Sequence, residues 1–221
     1  MSSKSAFVLG ASGMVGRQIA EVLMKNPAFS RIVLLGRRRV EIPDAPPHLE
    51  QQEIDFDNLD PQHFQGFDVG FCSLGVTTKA GKEKMQQVDH DYVVATAKLA
   101  RENGATAFCL VTAAGSDPNA TFWPFKIKGA AERDVAELGF EKFIVARPFL
   151  IEGPREEVSF GYRCSKLLLK PTSLFTTALL IDAQEIAKAL ISCTLDDARQ
   201  GVQILSAAEM GKIAKQYKVE K

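Results

Sequence analysis

The chain has 221 residues, 46% of them apolar and 24% charged, which suits one globular domain with a substantial buried core and argues against a second full one. Lys and Arg number 27 and Asp and Glu number 27, so no net field draws the protein to nucleic acid or to an anionic membrane. No apolar run approaches the roughly 18 residues of a membrane span and none near the start resembles an export segment, so the expectation is a cytoplasmic protein, monomer or homodimer, with a small-molecule substrate.

Strand-like and helix-like patterns alternate along the chain, as βα units of a parallel sheet do. The first strand is Ala6 to Leu9, and its helix runs from about Met14 to Lys25, before Asn26-Pro27. Between them stands "GASGMVG", with Gly10, Gly13 and Gly16 spaced G-x-x-G-x-x-G. Glycines permit a tight turn from strand to helix, and the amide hydrogens from Ser12 to Val15, through Met14, then face a pyrophosphate at the helix N-terminus. This strand-turn-helix context is what makes the glycine pattern a dinucleotide signature. Strand two is Arg31 to Leu35. An acidic residue at its end would accept from the ribose hydroxyl of NAD. The sequence has "LLGRRRV" there instead, so Arg37 and Arg38 are placed to meet the 2′-phosphate of NADP, while Arg39 suits a solvated turn equally well.

Strand three, about Leu49 to Ile54, leads through "DFDNLDPQHFQG" to strand four, "DVGFCSLG". The next helix spans Val88 to Arg101 and stops at Asn103-Gly104, a pair suited to a left-handed cap. Strand five is "AFCLVTA", a helix follows over roughly Phe125 to Leu138, and strand six is "KFIVARP". The fold class is therefore α/β, a Rossmann-type doubly wound parallel sheet with helices on both faces. Residues 1–148 form the cofactor-binding core. Residues 149–221, with capping boxes at Asp182-x-x-Glu185 and Ser206-x-x-Glu209, form a small extension, too short to fold alone, that is expected over the sheet's C-terminal edge on the substrate side.

Four cysteines, Cys72, Cys109, Cys164 and Cys193, lack C-x-x-C pairing and read as reduced core thiols. His48, His63 and His90 stand apart without ligand spacing, so no metal site is expected. Asn119-Ala120-Thr121 is a glycosylation sequon of no weight in a protein that is not exported.

The glycine loop, the "GRR" after strand two, "VDHDYVVATAKLA", "LVTAAGS" and "KIKGAAERDVAELGFEKFIVARP" together resemble the atypical short-chain dehydrogenase/reductase superfamily. The likeness is greatest to its NmrA-like, Tat-interacting-protein branch of NADP-binding proteins, and it covers about Ser5 to Arg147. The resemblance implies an NADP(H)-dependent oxidoreductase acting on a small carbonyl or quinone-like substrate. It places Asp55 at the adenine amino group, with Phe56 beside the ring, although Asp55 also suits a plain cap of its own turn. It places Ser73, Leu74 and Gly75 along the ribose, and Pro148 to Ile151, including Leu150, at the nicotinamide.

That superfamily's chemistry rests on a Ser or Thr and a Tyr-x-x-x-Lys motif, the tyrosine delivering the proton. By the resemblance, Thr112 is the strand-five hydroxyl and Lys128 the lysine, the two catalytic candidates and contacts to the cofactor as well. Four residues before Lys128 stands Pro124, and the alternative register, Lys126, has Phe122. Neither donates a proton. Tyr92, Tyr162 and Tyr217 lie off that spacing, with Tyr162 in the tail the one able to fold back. The aromatic cluster at Phe122 to Phe125 fits a lid over the nicotinamide or a packed loop. A second function therefore stands beside the reductase: a catalytically silent NADP(H)-binding sensor or interaction protein.

Overall fold

In the computed structural model, residues 3–152 and 180–218 are described. A parallel sheet of seven strands has the order β3-β2-β1-β4-β5-β6-β9. Its members are β1 (Lys4–Leu9), β2 (Phe29–Gly36), β3 (Leu49–Glu53), β4 (Val69–Cys72), β5 (Ala107–Val111), β6 (Lys142–Arg147) and β9 (Gly201–Ser206). The order reverses between β1 and β4, so a crevice opens outside their carboxyl ends, where doubly wound folds bind ligands.

Strands buried on both faces read as continuous apolar runs. In β1, Ala6 and Val8 face one core and Phe7 and Leu9 the other. Ile32 and Leu34 of β2 join the first core, and Val33 and Leu35 the second. The first core is closed by α1 (Met14–Met24), α5 (Ala183–Leu195) and α6 (Ala207–Gln216), through Ile19, Leu23, Ile186, Leu190 and Met210. The second is closed by α3 (Tyr92–Glu102) and α4 (Trp123–Ala136), through Val93, Ala97, Ala131 and Val135. Phe7 anchors it, meeting Phe64 and Phe67 edge-on at 5.6 and 5.3 Å. Cys72, Cys109 and Cys193 are free and buried, and burial pushes the Cys72 thiol up to about 12. Cys164 lies outside the described residues.

The helix expected from Val88 is longer and interrupted. Gly81, at φ +89°, opens α2 (Lys82–Gln86), a π-helical turn spans Gln87–Asp91, and α3 continues from Tyr92. The polar stretch before Val88 carries no apolar period, and only Met85 is buried in α2. The predicted cap is present: Gly104 has φ +96°, and its amide donates to the Arg101 carbonyl at 3.2 Å. The helix α4 begins two residues earlier than expected, with Pro124 in its first turn, where the missing N–H costs nothing.

Both predicted capping boxes are formed, Asp182 with Glu185 at α5 and Ser206 with Glu209 at α6. The helices of the described tail, α5 and α6, pack on the sheet face of the first core. The strand β9 adds to the sheet, pairing Lys142 with Gly201 and Arg147 with Ser206. The short strands β7 (Leu150–Glu152) and β8 (Leu180–Asp182) form a separate parallel pair. Lys142 ties the tail down: its ammonium donates to the carbonyls of Thr194 at 3.2 Å and Asp196 at 2.9 Å, at the end of α5. A cation on those last carbonyls stabilises the helix end. Lys142→Met is expected to cost about 1–2 kcal/mol in urea unfolding; a loss under ~0.3 kcal/mol would show that the contact is idle.

Candidate active site

The glycine turn is fixed by close backbone approach. Gly10 sits at φ +84°, and a Cβ there would stand 2.7 Å from the Ser73 carbonyl oxygen. A Cβ on Gly16 would lie 2.2 Å from the Gly10 carbonyl oxygen and 2.6 Å from the Ser73 hydroxyl. Ser73 backs the turn, its hydroxyl donating to the Leu9 carbonyl at 3.1 Å. Gly13 caps α1 without a side-chain hydrogen bond, and no acidic residue occupies the first turn. The helix N-terminus is thus open to an anion. Val15 is buried and Met14 half-buried, both packed in the first core, so they can offer an anion only their backbone.

Beside this turn lies a cavity of about 490 Å³. Of the predicted residues, Gly10, Ser12, Gly13, Arg37, Arg38, Phe56, Ser73, Leu74 and Gly75 line it. Arg39 and Lys84 line it too, giving four cations and, among the described residues, no carboxylate in the wall. The arginines are exposed, and their loop is held from behind: the Gln51 side chain accepts from the Val40 amide and donates to the Val40 carbonyl, both at 2.9 Å. At the far end, the rings of Phe56 and Tyr92 lie 5.1 Å apart. The Tyr92 hydroxyl donates to Asp57 at 2.5 Å, and desolvation together with that carboxylate pushes the phenol up to about 12. Asp55 is outside the lining; its carboxylate accepts from the Asp57 amide at 3.0 Å, capping its own turn.

Sequence reasoning missed Gln51, Lys84, Val88 and Tyr92 in this wall. Val88 and Tyr92 are four apart, and that helical spacing was the available signal. Nothing local marks Gln51, whose role exists only because β3 lies beside β2.

A second group gathers at the carboxyl ends of β4 and β5. Asp89, in the π-helical turn, is buried with its side chain 1% exposed. Its carboxylate accepts from the Val76 amide at 2.8 Å and from the Lys128 ammonium at 2.5 Å. A Cβ on Gly75 would be 3.3 Å from that carboxylate and 3.8 Å from the Lys128 nitrogen, so the pair abuts the strand-four end of the cavity wall. Thr112, by contrast, is committed: its hydroxyl donates at 2.6 Å to the buried Glu132, which Arg147 also grips through Nε at 3.1 Å and through Nη2. Pro124, four residues before Lys128, is buried in the first turn of α4.

Pro148 is buried and accepts from the Ala114 amide at 2.8 Å, while Leu150 and Ile151 pair with Leu180 and Ile181; none of the three lines the cavity. Phe122 is 54% exposed and touches Phe125 edge-on at 5.4 Å, with Trp123 half-buried beside it. Tyr217 is remote, its hydroxyl accepting from Asn26 beyond α1, and Tyr162 lies outside the described residues. His90 does not stand alone. Its ring nitrogens meet Asp91 at 2.8 Å and Asp134 at 2.9 Å, bridging the π-helical turn to α4.

Residues 5–116 match the family model described as semialdehyde dehydrogenase, NAD binding domain. Protein HTATIP2 of Rattus norvegicus is 38% identical over 161 residues, 71% of this chain and 66% of that protein, just under two thirds of its length. Protein FMP52, mitochondrial, of Eremothecium gossypii is 30% identical over 221 residues, covering 96% of this chain and 98% of that one. Among solved structures, a UDP-N-acetylglucosamine 4-epimerase from Methanobrevibacter ruminantium superposes with a TM-score of 0.71 at 17% identity, over 93% of this chain and 77% of that one. The Bordetella bronchiseptica enzyme WbmG, in complex with NAD, gives 0.68 at 16%, over 98% and 78%. These two likenesses are of fold alone.

The FMP52 relatives overturn the expectation of a cytoplasmic protein, for they are mitochondrial by name. That expectation rested on the lack of an apolar export segment, and mitochondrial import signals are amphipathic rather than apolar, so hydropathy does not detect them. No helix among the described residues is long and apolar enough to cross a membrane. The glycine turn, the crevice at the strand reversal and these matches agree: the chain belongs to the semialdehyde dehydrogenase, NAD binding domain family, as an NAD(P)-binding Rossmann-fold relative of HTATIP2 and the FMP52 proteins.

Proposed function

We propose that the protein is an NADP(H)-dependent oxidoreductase that reduces a small carbonyl or quinone-like substrate. The observation that carries this reading is that Arg37, Arg38 and Arg39 line the cavity at the end of β2, where an NAD-binding site would hold an acid, and that no carboxylate is among the described lining residues. The residues fit the dinucleotide. Gly10, Ser12, Gly13, Met14, Val15 and Gly16 shape a turn whose amides meet the pyrophosphate, and Arg37 and Arg38 meet the 2′-phosphate. Ser73, Leu74 and Gly75 flank the sugar, and Phe56 packs against the adenine. Lys128 and the segment from Pro148 to Ile151 belong to the nicotinamide end. Bound NADPH would supply a hydride to the substrate.

A charge-assisted hydrogen bond nets about 1.5–3 kcal/mol, and about 1.4 kcal/mol is tenfold. The wild type is therefore expected to bind NADPH roughly ten- to a hundredfold more tightly than NADH, and Arg37→Ser/Arg38→Ser to lose that preference while NADH binding stays constant. Titrations followed by Trp123 fluorescence or calorimetry read both. Equal affinities in the wild type would remove the role given to the arginines.

Turnover is tested by NADPH consumption against aldehydes, quinones and a UDP-sugar, the last because the solved neighbours include a UDP-sugar epimerase. The second reading, a catalytically silent sensor, is favoured by Pro124 in the tyrosine position and by the commitment of Thr112 to Glu132. Tight NADPH binding with no turnover on any acceptor would decide for it.

A further inference from the structure

We infer that Lys128, held by the buried Asp89, is the proton donor of the reduction, in the place where a tyrosine hydroxyl would act. The inference rests on the reductase reading above and adds to Lys128 a role beyond contact with the cofactor.

Among the described residues, the hydroxyls nearest the end of β5 are already spent. Thr112 donates to Glu132 at 2.6 Å, and Ser116 donates to the Ala113 carbonyl at 2.7 Å. Tyr92 donates to Asp57 at the far end of the cavity. Lys128 is different. An ammonium has three protons to donate, and among the described residues only Asp89 takes one. The side chain is 17% exposed, and its nitrogen stands 3.8 Å from where a Cβ on the cavity-lining Gly75 would lie.

Asp89 is built to hold that group. The π-helical turn over Gln87–Asp91 inserts a residue into the helix and turns Asp89 inward, a distortion that often marks functional sites. Both carboxylate oxygens are used, one on the Val76 amide and one on Lys128, so the ammonium is fixed against the strand-four wall at Gly75. In the step, bound NADPH would supply a hydride to the carbonyl carbon as the C=O π bond breaks, and the oxygen would take a proton from Lys128 Nζ. The amine left beside Asp89 regains a proton from water. Asp89 is a positioning residue throughout.

Lys128→Arg separates the two roles of the side chain. It keeps the positive charge and a partner for Asp89, but a guanidinium does not give up its proton. Fluorescence titration is expected to show NADPH affinity within ~3-fold of wild type, while turnover of 4-nitrobenzaldehyde falls at least about 100-fold, the typical contribution of general acid catalysis. Turnover of phenanthrenequinone is expected to fall less than ~10-fold, because a delocalised hydroquinone anion needs no protein acid. Asp89→Asn should lower kcat for the aldehyde and leave KM for NADPH unchanged. Lys128→Arg reducing the aldehyde within ~10-fold of wild type would overturn the inference. So would an active Lys128→Arg beside an inactive Tyr162→Phe. Wild-type protein that binds NADPH but reduces no acceptor would overturn the reductase reading itself, and that result is read before any variant is made.

Discussion

Gly16→Ala is expected to abolish dinucleotide binding and to destabilise the fold by at least about 2–3 kcal/mol. The added Cβ would stand 2.2 Å from the Gly10 carbonyl oxygen and 2.6 Å from its carbonyl carbon, both backbone atoms, and 2.6 Å from Ser73 Oγ. The Ser73 side chain could swing away, but the Gly10 carbonyl is part of the turn itself. Relief requires α1 to move off the carboxyl end of β1, which carries the first-turn amides out of register with the cavity. The comparison variant is Gly13→Ala, where the Cβ would be 3.3 Å from the same carbonyl oxygen and a small shift suffices. Urea unfolding and NADPH titration should therefore rank the two, Gly16→Ala far below Gly13→Ala in both. Gly16→Ala with wild-type NADPH affinity would show that the turn is not the pyrophosphate site.

Glu132→Ala is expected to cost about 3 kcal/mol, enough to lower Tm by on the order of 10 °C in a chain of this size. The Glu132 side chain is 7% exposed and accepts from both Thr112 and Arg147. Its removal leaves the Arg147 guanidinium without a counter-charge and the Thr112 hydroxyl without an acceptor. Arg147 is 27% exposed and can turn partly to water, which holds the cost near the lower end of the range for a broken buried pair. The control is the double variant Glu132→Leu/Arg147→Met, which removes both charges and should recover much of the loss. Thermal unfolding of the set distinguishes a structural network from a catalytic one. A Glu132→Ala protein as stable as wild type would mean that the network does not hold the ends of β5, β6 and α4 together.

The alternating apolar strands, the glycine turn, the Asn103-Gly104 cap and both tail capping boxes were legible in the sequence, because each depends on neighbours within a few residues. The lack of an acid after β2 and the presence of Pro124 four residues before Lys128 were equally plain. Other features required chain segments far apart in sequence to meet. Gln51 clamps Val40 only because β3 pairs with β2. Thr112 read as a free hydroxyl until α4 brought Glu132 to it from 20 residues away. Asp89 was one acid in a polar run, and a π-helical turn with no sequence period aimed it at Lys128, 39 residues on. The tail's capping boxes announced its helices, but not that β9 would join β6 as an added strand. Local periodicity and glycine conformation were enough to set out the fold and the glycine turn. Which polar groups satisfy one another emerged from long-range packing, which commits Thr112 to Glu132 and sets Lys128 against Asp89.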